Sequence, residues 1–155
     1  MKPSERLSAL GLELPSVPTP VGSYVPATRC GHYIITSGQL PMRDGAVVCT
    51  GKLGANVSLD EATAAAGLAA MSALAAAAGV AGGVDRIGRV IRLCVFVNST
   101  ADFADQAKVA NGASDLLTGI FDDAGRHVRS AVGVAALPLN SAVELELMVE
   151  VVDVP

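Results

Sequence analysis

The 155-residue sequence predicts an α+β fold, a mixed sheet with two helices packed on one face. Three observations carry that prediction. Short β-branched or alternating runs, bounded by Gly, Pro and Asp, occupy both ends of the chain. A long alanine-rich stretch with a capping signal lies in the middle. A second, amphipathic stretch separates two of the strand-like runs.

Residues 4–12 read as a short helix with Ser4 as the candidate N-cap. "PSVPTPVG" (15–22) is proline-rich and extended. Residues 1–21 are therefore expected to form an arm on a single domain spanning 1–155. "GSYVPATRCGHYIITSGQLP" (22–41) holds two short strands turning near Gly31, and "DGAVVCTG" (44–51) reads as a third with a D-G turn in front. Ser58 and Glu61 have the spacing of a capping box, and the helix they open runs to about Gly79. Its alanines allow close approach to a sheet at no loss of helix propensity. "IGRVIRLCVFVN" (87–98) is a strand. Residues 102–125 form the second helix, with Phe103, Ala107, Ala110, Leu117 and Phe121 on one face. Two final strands, 129–137 and 142–152, are joined by a proline-bearing connection, giving the order β-β-β-α-β-α-β-β.

Hydrophobic residues make up 51% of the chain and charged residues 17%, a larger apolar share than a lone domain needs. Alanine content accounts for part of that excess; an oligomer interface would account for the rest. The net charge is −4 and no run of Lys or Arg occurs, so a nucleic-acid partner is not expected. The apolar tract at 62–84 is mostly Ala and Gly, interrupted by Thr63 and Ser72, and reads as a core helix rather than a membrane span. "MKPSERLSAL" has no signal-peptide core. Cys30, Cys49 and Cys94 are odd in number and scattered, which suits reduced thiols in the cytoplasm. His32 and His127 have no metal-ligand spacing, and no phosphate-binding glycine loop or nucleophile elbow occurs, so no cofactor or metal is expected.

The chemistry rests on Arg129 and Glu144. Arginine presents a planar fork that binds a carboxylate bidentately at any working pH. A partly buried glutamate can serve as acid, base or water holder. Both stand on the two final strands, expected to be neighbours and so within reach of one pocket. An ion pair across a hairpin, or two rim residues without a task, would explain them equally. Tyr24 reads as a strand-edge aromatic, and "TSGQ" (36–39) offers a hydroxyl and backbone N–H groups at a strand end. Asn111 lies mid-helix, where it either faces solvent or makes a specific hydrogen bond.

The pieces "VGSYVPATRCGHYIITSGQLP", "FVNSTADF", "VANGASDLL" and "RHVRSAVGVAALPLNSAVELELMVEV" together resemble the RidA/YjgF family across residues 21–151. The "ERL…LGLELP" arm and the "NGASDLL" helix are similar to a longer branch of that family, labelled endoribonuclease- or translation-inhibitor-like. The resemblance implies a Bacillus chorismate mutase-like fold and a homotrimeric barrel with pockets between subunits. It also implies a 2-imino or enamino acid deaminase in which Arg129 binds the substrate carboxylate and Glu144 positions water. Tyr24, Ser37, Gly38, Asn111 and the backbone of Ala131 would line the pocket. A trimeric small-carboxylate-binding protein without turnover is the rival reading; endoribonuclease and chorismate mutase activities are weaker ones. The chain departs from short family members in Ala131, where they carry Cys, in a longer 102–111 segment and in the N-terminal arm.

Overall fold

A computed structural model describes residues 1–17, 19–20 and 22–152; positions 18 and 21 of the expected arm lie outside the described residues. The chain runs α1 (Pro3–Ala9), β1 (Ala27–Cys30), β2 (Tyr33–Thr36), β3 (Met42–Arg43), β4 (Ala46–Val47), α2 (Leu59–Ala81), β5 (Ile87–Asn98), α3 (Gln106–Phe121), β6 (Val128–Val134) and β7 (Val143–Val151). Strands β1, β2, β7, β5 and β6 form one sheet in that order, with only β5 and β6 parallel. The strands β3 and β4 form a separate two-residue hairpin.

Local chemistry sets the element ends. The Ser58 hydroxyl accepts from the Glu61 N–H at 3.2 Å, while the Glu61 carboxylate accepts from the Ser58 N–H at 2.8 Å, so the capping box forms as the spacing implies. The helix α2 runs past Gly79 and stops at Gly82, which adopts φ 85° and donates its N–H to the Ala78 carbonyl. Asp44 and Gly45 both take positive φ and form the expected D-G turn, here between β3 and β4, while the strand expected over 44–51 is confined to Ala46–Val47. Ser4 does not cap α1. It lies inside the helix and bonds the Asp85 carboxylate through both its N–H and its hydroxyl, while the Lys2 N–H donates to Glu5. Together with an Arg6–Asp122 ion pair and buried Leu7, these bonds fasten the N-terminal arm to the domain.

Both long helices cover one face of the sheet: α2 lies over β7, β2 and β1, and α3 over β5 and β6. Val90, Leu93, Val95 and Val97 of β5 and Leu145, Leu147 and Val149 of β7 point into the core between them. Alternation then turns Cys94, Phe96, Glu144, Glu146 and Met148 toward the other face. Most of the 23 residues of α2 are buried, and they are chiefly alanines. Each alanine methyl brings only about 0.8 kcal/mol on burial, so this layer depends on many small contacts at close range. The helix is long and apolar enough to cross a membrane, but most of it is enclosed in the core. The buried face of α3 is Val109, Ala110, Ala113, Leu117, Ile120 and Phe121; Ala107 is exposed, because the helix starts at Gln106 and its phase differs from that expected.

The helices meet closely at Gly112, where an added Cβ would overlap the Thr63 carbonyl oxygen. Gly112→Val should lower unfolding free energy by about 2–3 kcal/mol, since backbone cannot yield as a side-chain tip can. Gly119 on the same helix is exposed, and its nearest neighbour to an added Cβ is Leu10 Cδ1 at 3.7 Å. Gly119→Ala should therefore raise stability by about 0.5–1 kcal/mol. Urea midpoints at constant slope read both changes; equal shifts in the two variants would show that the helix contact is not tight.

Candidate functional site

Arg129 enters from β6, opposite Leu93 of β5, and faces the helix side of the sheet. Its guanidinium is held by three oxygens of α3. Nη1 donates to Asn111 Oδ1 at 2.8 Å and to Ser114 Oγ at 3.0 Å, and Nη2 donates to the Ala107 carbonyl at 3.3 Å. Residues 107, 111 and 114 are four and three apart, so they share one helix face. Mid-helix Asn111 thus makes a specific hydrogen bond while remaining exposed. Both Nη1 protons are engaged. The Nε–H and one Nη2–H have no partner among the described residues, and neither does the cation have a carboxylate. A bidentate anion can therefore be met only on the Nε/Nη2 edge. Ala131 follows two residues later on the same side of β6, which is an edge strand.

Glu144 faces the other way. It pairs with Phe96 on β5 and packs against Gly38, where any Cβ would overlap its carboxylate. Half-burial pushes its carboxyl above the ordinary carboxylate range, and the nearby charge of Glu146 adds to the rise. Gly38 also borders a cleft of about 130 Å³ that Tyr24, Met42 and Leu139 line. The Ser37 hydroxyl donates to the Val25 carbonyl at 2.6 Å, and its N–H to the Pro26 carbonyl at 2.8 Å. Ser37 thereby fixes the turn that carries Tyr24. Leu139 is 70% exposed and takes φ 54°, a left-handed conformation costly for a leucine. The loop holding it is tied down by Lys52, whose ammonium donates to Asn98 Oδ1 at 2.8 Å and to the Ala135 carbonyl. Asn98 in turn donates to the Ser141 carbonyl at 3.1 Å.

The expectation that Arg129 and Glu144 stand on neighbouring strands of one chain is overturned. Strand β5 lies between β6 and β7, and the two residues pair with Leu93 and Phe96 of it. That separates them by two strand spacings and three residues, about 10 Å in each direction, on opposite faces. An ion pair across a hairpin is overturned by the same geometry. The residues expected at the site fall into two groups, candidate half-sites on opposite faces: Arg129, Asn111 and Ala131 in one, Glu144, Gly38, Ser37 and Tyr24 in the other.

Two residues of the first half-site escaped sequence reasoning. Ser114 and His127 are partners, with Oγ and Nε2 3.0 Å apart. The available signal was Ser114 lying three residues after Asn111. His127 precedes Arg129 by two, but a residue in the connection before β6 gives no hint of a contact with a helix.

Against known protein families, residues 4–151 match the model described as "YjgF/chorismate mutase-like, putative endoribonuclease". The chain belongs to this family. Among YjgF-family relatives, Protein TCP17 of Trypanosoma cruzi is 43% identical over 145 residues, covering 93% of this chain and 91% of that protein. A solved "putative endoribonuclease" from Shewanella oneidensis superposes with a TM-score of 0.93 at 38% identity, over 97% of this chain and all of that one. Escherichia coli TdcF, solved with bound serine, superposes at 0.60 with 25% identity, over 88% and 94%. The mixed α+β fold expected from the sequence is thus the YjgF-family fold, with α1 as a third helix beside the two on the sheet.

The raised Glu144 carboxyl has a stability consequence. It binds its proton more tightly in the folded than in the unfolded chain. Stability therefore falls as pH climbs from the ordinary glutamate range, about 4.3, through the higher native value. Glu144→Gln removes that loss. Its melting temperature should exceed that of the wild type at neutral pH, and the margin should close by about pH 3. A variant less stable than wild type at neutral pH would mean that the carboxylate has a favourable partner.

Proposed function

We propose that the protein hydrolyses 2-imino or enamino acids to 2-keto acids and ammonia, at pockets assembled between the subunits of a homotrimer. The observation that carries this reading is the opposed placement of the two half-sites. A fixed cation with an unengaged Nε/Nη2 edge faces one side, and a half-buried carboxyl with a raised affinity for protons faces the other. Only different copies of the chain can bring them together across one ligand. The sheet face bearing Glu144 supports such an assembly, since Tyr33, Ile35, Val128 and Val132 are exposed among its strands.

Arg129 would hold the substrate carboxylate, with backbone of the β6 edge at Ala131 beside it. Glu144 would take a proton from water as the oxygen attacks the C=N carbon. That proton then passes to nitrogen, giving a carbinolamine; its hydroxyl proton follows to the nitrogen as the C–N bond breaks, so the keto group forms and ammonia leaves. A carboxyl whose affinity for protons is raised by burial suits this transfer better than an ordinary one. Most of the acceleration would come from orientation, since imine hydrolysis is undemanding. Serine bound to TdcF supports a ligand of amino-acid size. A net charge of −4 without a basic run argues against RNA as substrate.

Complementation tests the shared site. Arg129→Ala and Glu144→Gln should each lose ammonia release from imines generated in situ, by roughly a hundredfold or more. Arg129→Lys should also be poor, because an ammonium lacks the fork. Mixing the two inactive proteins under subunit exchange should restore activity, as some pockets then combine a wild-type Arg129 with a wild-type Glu144. A monomer in sedimentation at micromolar concentration, or no recovery on mixing, would remove the intersubunit site. Keto-acid binding without any imine turnover by the wild type would establish a binding protein instead.

A further inference from the structure

Arg129 is steadied by a hydrogen-bonded chain with one consistent direction. Arginine only donates, so its Nη1–H uses a lone pair of Ser114 Oγ and the hydroxyl proton must point elsewhere. That oxygen lies 3.0 Å from His127 Nε2. At the opposite side of the ring, Nδ1 lies 2.6 Å from the Gly125 carbonyl, which only accepts. Nδ1 therefore carries a proton. In the neutral ring Nε2 is bare and receives the proton of Ser114. The chain runs from the guanidinium through hydroxyl and imidazole to a backbone oxygen.

Each link has an alternative that this arrangement suppresses. A serine within a helix tends to donate to the carbonyl four residues back. Thr118 does so to Ser114 at 2.9 Å and Ser72 to Leu68 at 3.3 Å. Ser114 instead turns its hydroxyl to His127, which leaves its lone pair aimed at Arg129. Gly125 makes the carbonyl available. It is buried, and a Cβ there would lie 2.5 Å from the Leu117 carbonyl oxygen, so only glycine lets the turn before β6 press onto α3. A doubly protonated ring would place a second cationic donor on the hydroxyl that Arg129 already uses.

We infer that Ser114 and His127 are positioning residues that orient the Arg129 guanidinium so that its Nε/Nη2 edge stays open to a small carboxylate. This inference rests on the carboxylate-binding role proposed for Arg129. Neither residue touches the ligand. Their loss should weaken recognition of the anion while leaving the water-handling half of the site intact.

The direct measurement needs no ligand. Nitrogen-15 shifts of the His127 ring in the wild-type protein at neutral pH should show Nδ1 protonated and Nε2 bare; a protonated Nε2 overturns the inference. Binding supplies the functional arm, with pyruvate as the anionic probe and its neutral amide as control. Ser114→Ala and His127→Phe should each weaken pyruvate binding about tenfold, the scale of one hydrogen bond to a charged group. Amide binding should stay within about twofold. His127→Gln, whose amide oxygen replaces Nε2 as acceptor, should recover most of the loss. In turnover, KM should rise and kcat hold. If Arg129→Ala loses pyruvate but His127→Phe binds it like wild type, the relay is wrong and the carboxylate role stands. If Arg129→Ala binds pyruvate like wild type, both fall.

Discussion

Everything in this molecule is referred to β5, the longest strand of the sheet. It runs twelve residues and pairs along both edges, antiparallel to β7 and parallel to β6. Because β5 lies between β6 and β7, the last two strands are not neighbours and their connection crosses its end. Their registers against β5 then decide which side chains meet the helices and which do not. A one-residue slip of β6 would turn Arg129 away from α3 and bring Val128 or Ser130 under the helix. The polar grip on the guanidinium and the apolar packing of β5 thus specify the same register.

The two halves of the site are built by different means. Arg129 is rigid because a helix grips it with three oxygens, two from side chains and one from backbone. Glu144 is positioned by an absence of bulk, since Gly38 leaves room for the carboxylate against the chain. One half therefore depends on hydrogen-bond geometry and the other on steric allowance. Burial at Glu144 and exposed loop strain at Leu139 both fall on the second half. That distribution agrees with the general tendency of functional sites to carry the unfavourable local features of a fold.

Local signals in the sequence carried most of the elements. The Ser58–Glu61 box, the β5 run and the turn at Asp44–Gly45 each require only a few residues to read. What stayed hidden depends on long-range partners. Ser4 looked like a cap because Asp85, its actual partner, is 81 residues away. The α3 start was misplaced because Phe103 is apolar without being helical. Asn111 was legible as an anomaly but not its partner, and Ser114 had only its spacing from Asn111 to mark it, since a polar residue on a helix normally faces water. The opposed faces of Arg129 and Glu144 follow from strand order, which pairing across the whole chain determines.

The alanine layer of α2 has a meaning for how such a chain changes over evolutionary time. Where a core is made of leucine and phenylalanine, size can be traded between neighbours, and drift leaves many solutions open. A helix seated on a sheet by methyl groups has almost nothing to trade. Any larger residue lifts the backbone and any smaller one is glycine, which weakens the helix. Variation is thereby steered off the central helix and into the arm, the β3–β4 hairpin and the turns around the two half-sites. The same scaffold can then acquire new ligand preferences while its interior stays nearly frozen.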